Sequence, residues 1–120
     1  MSGELQLEGL SPIPAIEVEH APPQAPSFAA IVFLRGEHDL DSSVAIREAL
    51  DAIDGDVLLD LSECGFVDSS VIGTILRRFQ ERAREGHRLE LIVPPENRII
   101  TRTIEIASLR ELLTVHDRTP

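Results

Sequence analysis

Three short apolar runs, separated by segments with helical period, constrain the fold more than any other feature of this sequence. Phe28 to Leu34, Val57 to Leu61 and Leu89 to Val93 are nearly unbroken apolar stretches, the last stopped by Pro94-Pro95. Runs this short, rich in β-branched side chains, favour strand over buried helix. The first intervening segment has a cap candidate at Asp41 or Ser42 and runs to about Ile53, ahead of Gly55. Its apolar face is expected at Val44, Ala45, Ala49 and Ile53, with Ile46 and Leu50 alongside. In the second, Asp68-Ser69-Ser70 precedes a stripe of Val71, Ile72, Ile75, Leu76, Phe79 and Ala83. Arg77, Arg78, Glu81, Arg82 and Glu85 form its opposite, wet face, and Gly86 ends it. A third helix is expected from about Glu96, with Ile99, Ile100 and Ile104 on one side, and a last short strand over Leu112 to Val115.

The remaining segments complete the plan. Ile16-Glu17-Val18-Glu19 alternates as a short edge strand does. Ala21 to Pro26 holds three prolines and reads as a stiff connector, and Ser62 to Val67 reads as a plain connection. Strands alternating with helices at this spacing predict an α/β fold: one domain of βα units on a mostly parallel four- to five-stranded sheet, with an N-terminal edge strand. The domain is expected over residues 14–117, behind a flexible tail of residues 1–13. Right-handed crossovers put all strand C-termini at one edge. Gly36 to Asp39, Val67 to Ser70 and Pro94 to Asn97 should converge there, where open α/β sheets usually bind.

Composition narrows the function. The formal net charge of -10 repels phosphate backbones, so no direct nucleic acid partner is expected. No apolar run approaches the roughly 18 residues of a membrane span, and no signal peptide is legible. A lone cysteine, Cys64, makes no internal disulfide; it reads as a small, partly buried filler in a reducing, cytoplasmic setting. The histidines at 20, 38, 87 and 116 lack ligand spacing, so no metal and no cofactor is expected. There is no nucleophile elbow and no phosphate loop with its lysine. Ser69 with His38 alone is a thin basis for a hydrolase, without an oxyanion-hole segment.

Four segments in order carry more information. Gly36-Glu37-His38-Asp39 after a strand, Asp60-Leu61-Ser62, Phe66-Val67-Asp68-Ser69-Ser70-Val71-Ile72-Gly73, and Ile104 to Leu113 follow one another across the domain. Together they resemble the "G-E-x-D", "D-L-S", "F-x-D-S-S-G-L-G" and closing "L-x-x-x-G-L-x-x-L" stretches of STAS domains of bacterial anti-sigma factor antagonists. The resemblance implies a non-enzymatic regulator that binds an anti-sigma factor serine kinase and so releases a sigma factor for transcription. It implies phosphorylation at Ser69, which ends the complex, and a phosphatase that resets it. Asp39, Asp68 and Ser70 would support the phosphosite; Glu37, His38, Asp39, Val71 and Thr74 would meet the partner. The chain departs from the family pattern at Val71 and Ser108, which stand where glycine is usual. Val71 is expected to reshape the partner surface or slow the kinase, and Ser108 to take a left-handed cap position at a cost of about 1 kcal/mol. The alternative is a STAS-type binding module without a phospho-switch, in another signalling or lipid-trafficking assembly. A monomer or weak dimer is the simplest assembly.

Without that resemblance, Asp68-Ser69-Ser70 before an apolar helix is an ordinary cap, and Asp39 a solvated loop acid.

Overall fold

The computed structural model describes residues 12–120, so most of the expected tail lies outside the described residues. Six strands are present among them: β1 (Ala15–His20), β2 (Ala30–His38), β3 (Val57–Asp60), β4 (Cys64–Val67), β5 (Leu89–Ile92) and β6 (Val115–His116). Three helices alternate with them: α1 (Leu40–Asp51), α2 (Ser69–Arg84) and α3 (Arg98–Ile106), followed by a 3-10 turn at Leu109–Glu111. The sheet order is β1-β2-β3-β5-β6, with β4 beside β2. β1 runs antiparallel to β2, from Ala15 opposite Arg35 to His20 opposite Ala30. Every other pairing is parallel. The expected α/β sheet with its N-terminal edge strand is therefore the fold.

β4 is the strand missing from the sequence reading, which took Ser62 to Val67 as a connection. It is four residues long, contains a glycine and has no clean alternation, so no local pattern marks it. Its partner is also unexpected. β2 pairs with β3 over Ala30 to Phe33, then changes neighbour and pairs with β4 from Gly36 to His38. The change is made at a bulge after Gly36, whose φ of +83° favours glycine. A side chain there would collide with the Ile13 carbonyl. Arg35 to His38 is thus strand, not the polar loop its composition suggests. Pro12 also belongs to the fold rather than to a tail, because its carbonyl accepts from the Glu37 amide at 3.1 Å.

Both faces of the sheet are buried, which explains the unbroken apolar runs. Ala30, Val32, Leu34, Val57, Leu59 and Leu91 face the helices and pack with Ile46, Leu50, Val71, Ile75, Ile100 and Ile104. The alternate residues Ile31, Leu58 and Ile92 face the other way. They are covered by Ala25 and Phe28, from the end of the proline-rich segment. The connector is thus the lid of a second, smaller core.

Two helices turn differently from expectation. α1 buries Ser43, Ile46 and Leu50 and leaves Val44 exposed. Its apolar residues form two rows, and packing on the sheet, not local pattern, chose between them. In α2, Arg82 is buried rather than wet. One of its Nη atoms donates to the Leu50 carbonyl at 2.7 Å and the Ile53 carbonyl at 2.5 Å, closing the C-terminal end of α1. Ala83, expected on the core stripe, is exposed. α3 begins at Arg98 with Asn97 as its cap; Ile100 and Ile104 point inward and Ile99 outward. Ser108 has a φ of 56°, the left-handed position expected of it. The last strand lies at Val115–His116, later than predicted, because Leu109 and Leu113 are used to bury the 3-10 turn.

Candidate functional site

Two helix N-termini meet at the C-terminal ends of β2 and β4. The capping residue of α1 is Asp39, not Asp41 or Ser42. Its carboxylate accepts from the amides of Asp41 at 3.0 Å and Ser42 at 3.4 Å, and Ser42 Oγ returns the bond to the Asp39 amide at 3.0 Å. This reciprocal box satisfies the amides of Asp39, Asp41 and Ser42 at one turn. Ser42 is its third helical residue, which is why the sequence made it look like a cap.

Asp68 caps α2 and reaches further. Its Oδ1 accepts from the amides of Ser70 at 3.0 Å and Val71 at 3.2 Å and from the Ser70 hydroxyl at 2.5 Å. The Leu40 amide of α1 adds to the same carboxylate. The Ser70 hydroxyl, then the amides of Val71, Ser70 and Leu40, hold Asp68 below the usual carboxylate range, against partial burial. Its own amide donates to the His38 carbonyl at 3.2 Å. One carboxylate therefore ties the start of α1 to the start of α2.

Ser69 stands outside this network. It is the first residue of α2, exposed, with Asp68 before it and Asp39 in the cap of the neighbouring helix. Its neighbour Ser70 is half-buried and spends its hydroxyl on Asp68. The two serines, equivalent in sequence, differ in what is left for another molecule to touch.

The residues expected to meet a partner divide. Glu37 and Asp39 are exposed. His38, Val71 and Thr74 are buried, so their side chains offer no docking surface. His38 sits under the site with Nε2 2.9 Å from the Arg35 carbonyl and Nδ1 3.1 Å from Ser42 Oγ. Val71 points into the core among Ile46, Leu50 and Ile75, because the second residue after the acceptor turns inward on a helix entering this sheet. Its expected effect on the partner surface is corrected accordingly. The surface that sequence reasoning missed is apolar: Leu40, Val44 and Phe66 are exposed, 66% of Leu40 being accessible. Only Val44 carried a signal, as the unused half of the α1 pattern.

The rest of the edge is braced. The Asn97 side chain donates to the carbonyls of Cys64 at 2.8 Å and Leu61 at 3.1 Å, fixing the turn between β3 and β4. Arg35 pairs with Glu17 and, at 2.9 Å, with Glu63. Cys64 is fully buried; burial pushes its thiol up to about 11, so it is neutral and inert at pH 7. Among the described residues no helix is long and apolar enough to cross a membrane.

Comparison with known proteins agrees with this geometry. A family model described as "Mlab, STAS domain" matches residues 23–114. An anti-sigma factor antagonist from Mycobacterium paratuberculosis superposes with a TM-score of 0.74 at 17% identity, covering 91% of this chain and 92% of its own. The anti-sigma factor antagonist SpoIIAA in its unphosphorylated form gives 0.64 at 19% identity, over 88% and 90% of the two chains. The phosphorylated form of SpoIIAA, a Bacillus cell fate determinant, gives 0.61 at 20% identity, over 84% and 90%. Identities this low carry the fold alone. A search of curated proteins finds no match.

Proposed function

The chain belongs to the STAS domain family, and from that premise we propose that it is an anti-sigma factor antagonist switched by phosphorylation of Ser69. In this reading it is a regulatory binding protein. Unmodified, it occupies an anti-sigma factor serine kinase and frees a sigma factor. The kinase then ends the complex by transferring the γ-phosphoryl group of ATP. An oxygen–phosphorus bond forms at Ser69 Oγ, the bond from γ-phosphorus to the bridging oxygen breaks, the hydroxyl proton passes to a base of the kinase, and ADP leaves. A phosphatase reverses the modification.

The observation that carries the reading is the contrast between the two serines. Ser69 is exposed on the first turn of α2, while Ser70 is held by Asp68 at 2.5 Å. Phosphate on Ser69 adds roughly -1.5 to -2 charges beside Asp39, Glu37 and the exposed apolar side chains of Leu40 and Val44. A partner pressed against that surface loses affinity, and about 1.4 kcal/mol already means tenfold. The domain itself is spared, since amides at a helix N-terminus tolerate the added negative charge.

The test is labelling by the cognate kinase with ATP, followed by mapping of the phosphosite. Wild type and Ser70→Ala are expected to be labelled, and Ser69→Ala is not. Equal labelling of wild type and Ser69→Ala, or none in either, rejects the switch. The second reading, a binding module without a switch, has the Mlab description of the matching model in its favour. A captured partner whose affinity is the same for wild type and Ser69→Asp would select it.

A further inference from the structure

Arg77 of α2 is exposed and, among the described residues, makes no hydrogen bond or ion pair. The arginines that follow it are occupied: Arg78 binds Asp51 and Glu81, and Arg82 binds the end of α1. Yet the Arg77 guanidinium is not extended away from the helix. It lies back along the helix over Gly73. A β-carbon at Gly73 would stand 3.3 Å from one Nη, 3.6 Å from the other and 3.8 Å from Cζ. Side chains on a helix lean toward its N-terminus, and the missing side chain at Gly73 gives the guanidinium room to do so. One turn further on the same stripe is Ser69. Ser69 and Gly73, four residues apart, are neighbours about 5–6 Å apart on the helix surface, so a phosphoryl group on Ser69 that turns back along the helix, as a first-turn residue with no preceding turn is free to do, comes within reach of the guanidinium.

Resting on the reading of Ser69 as a phosphoacceptor, we infer that Arg77 is the intramolecular counter-charge of phosphorylated Ser69. The phosphoryl oxygens fold along α2 onto the guanidinium over Gly73. Planar guanidinium groups bind phosphate with two parallel hydrogen bonds, which a point charge does not do. The charged residues that cap α1 and α2 or end β2 at this edge are acidic: Asp39 and Asp41, Asp68, and Glu37. Arg77 is thus the cation on this helix face placed to meet the phosphoryl group. It holds the phosphoryl group against the helix surface.

Phosphoserine installed at position 69 during translation tests this without any kinase. The second ionisation of the phosphate is followed by phosphorus NMR in the full chain. It should occur at lower pH in wild type than in Arg77→Gln, by about 0.3–0.7 unit, the size of an exposed ion pair. Arg77→Lys should lie between them, and Arg84→Gln, further along the same helix, should match wild type. Coincident titrations for wild type and Arg77→Gln overturn the inference, as does an equal shift from Arg84→Gln, which would reduce the effect to net charge. Kinase labelling of unmodified wild type is run beside it. If that labelling is absent the switch fails, while the titration still decides whether the guanidinium receives a phosphate at this place.

Discussion

The two ends of α2 make opposite use of the same kinds of group. At the C-terminal end polar atoms are sunk into the fold: Arg82 is buried with its donors on the Leu50 and Ile53 carbonyls, and Arg78 is pinned by Asp51 and Glu81. At the N-terminal end the polar atoms divide by depth. Asp68 and Ser70 close the cap, Val71 enters the core, and Ser69 is left to solvent. A helix anchored below and along one side can change charge at its exposed tip without letting go of the sheet. That is the physical condition for a switch that alters binding rather than folding.

The comparison breaks most easily at Val71. Val71→Gly removes a fully buried side chain and places glycine in a helix, which should cost about 3 kcal/mol. Urea unfolding measures this. Ser69 labelling at a temperature where the variant is folded should stay as in wild type, because Val71 faces inward; a changed labelling rate would show that the inner and outer sides of this turn are not independent. At the opposite end, Arg82→Met should cost about 2 kcal/mol by removing the donor to the Ile53 carbonyl just past α1 and the second donor to the Leu50 carbonyl, again by urea unfolding, with labelling unaffected.

A smaller effect is expected at the cap. Asp68→Asn should cost about 1 kcal/mol at pH 7. The sign of its pH dependence follows from the lowered native pKa of Asp68. Its contribution is complete above the unfolded carboxylate value of about 4. It is lost as pH falls through the lower native value. Unfolding midpoints of wild type and Asp68→Asn should therefore converge toward acid, and a gap that widens there would contradict the cap geometry. The smallest effect belongs to Ser69→Asp, whose unfolding free energy should stay within about 0.5 kcal/mol of wild type. A large loss of stability would mean that Ser69 is not as free as its exposure indicates.

Much of the fold was legible because its signals are local. β2, β3 and β5 are buried on both faces and read as apolar runs, and α2 announces itself by period. Gly86 follows the cap of α2 with positive φ and Ser108 takes the left-handed place inferred for it, whereas α1 stops at Asp51, before Ile53 and Gly55. The failures have one character. β4 has no pattern of its own, the bulge at Gly36 matters only because Ile13 passes over it, and the rows of α1 differ only in which one meets the sheet. Arg82 looked solvated because charge alone does not reveal that carbonyls at the end of a neighbouring helix lie beside it.

At the site the division is the same. Chain order alone determined that Asp39, Asp68, Ser69 and Ser70 belong to strand ends and helix starts, since alternating βα units bring those ends to one edge. Only the tertiary structure decided which hydroxyl is free, which of the neighbouring side chains are exposed, and that the Arg77 guanidinium lies over Gly73. Those outcomes depend on burial and on bonds between helices distant in sequence, and a residue's identity does not encode the neighbour it will meet.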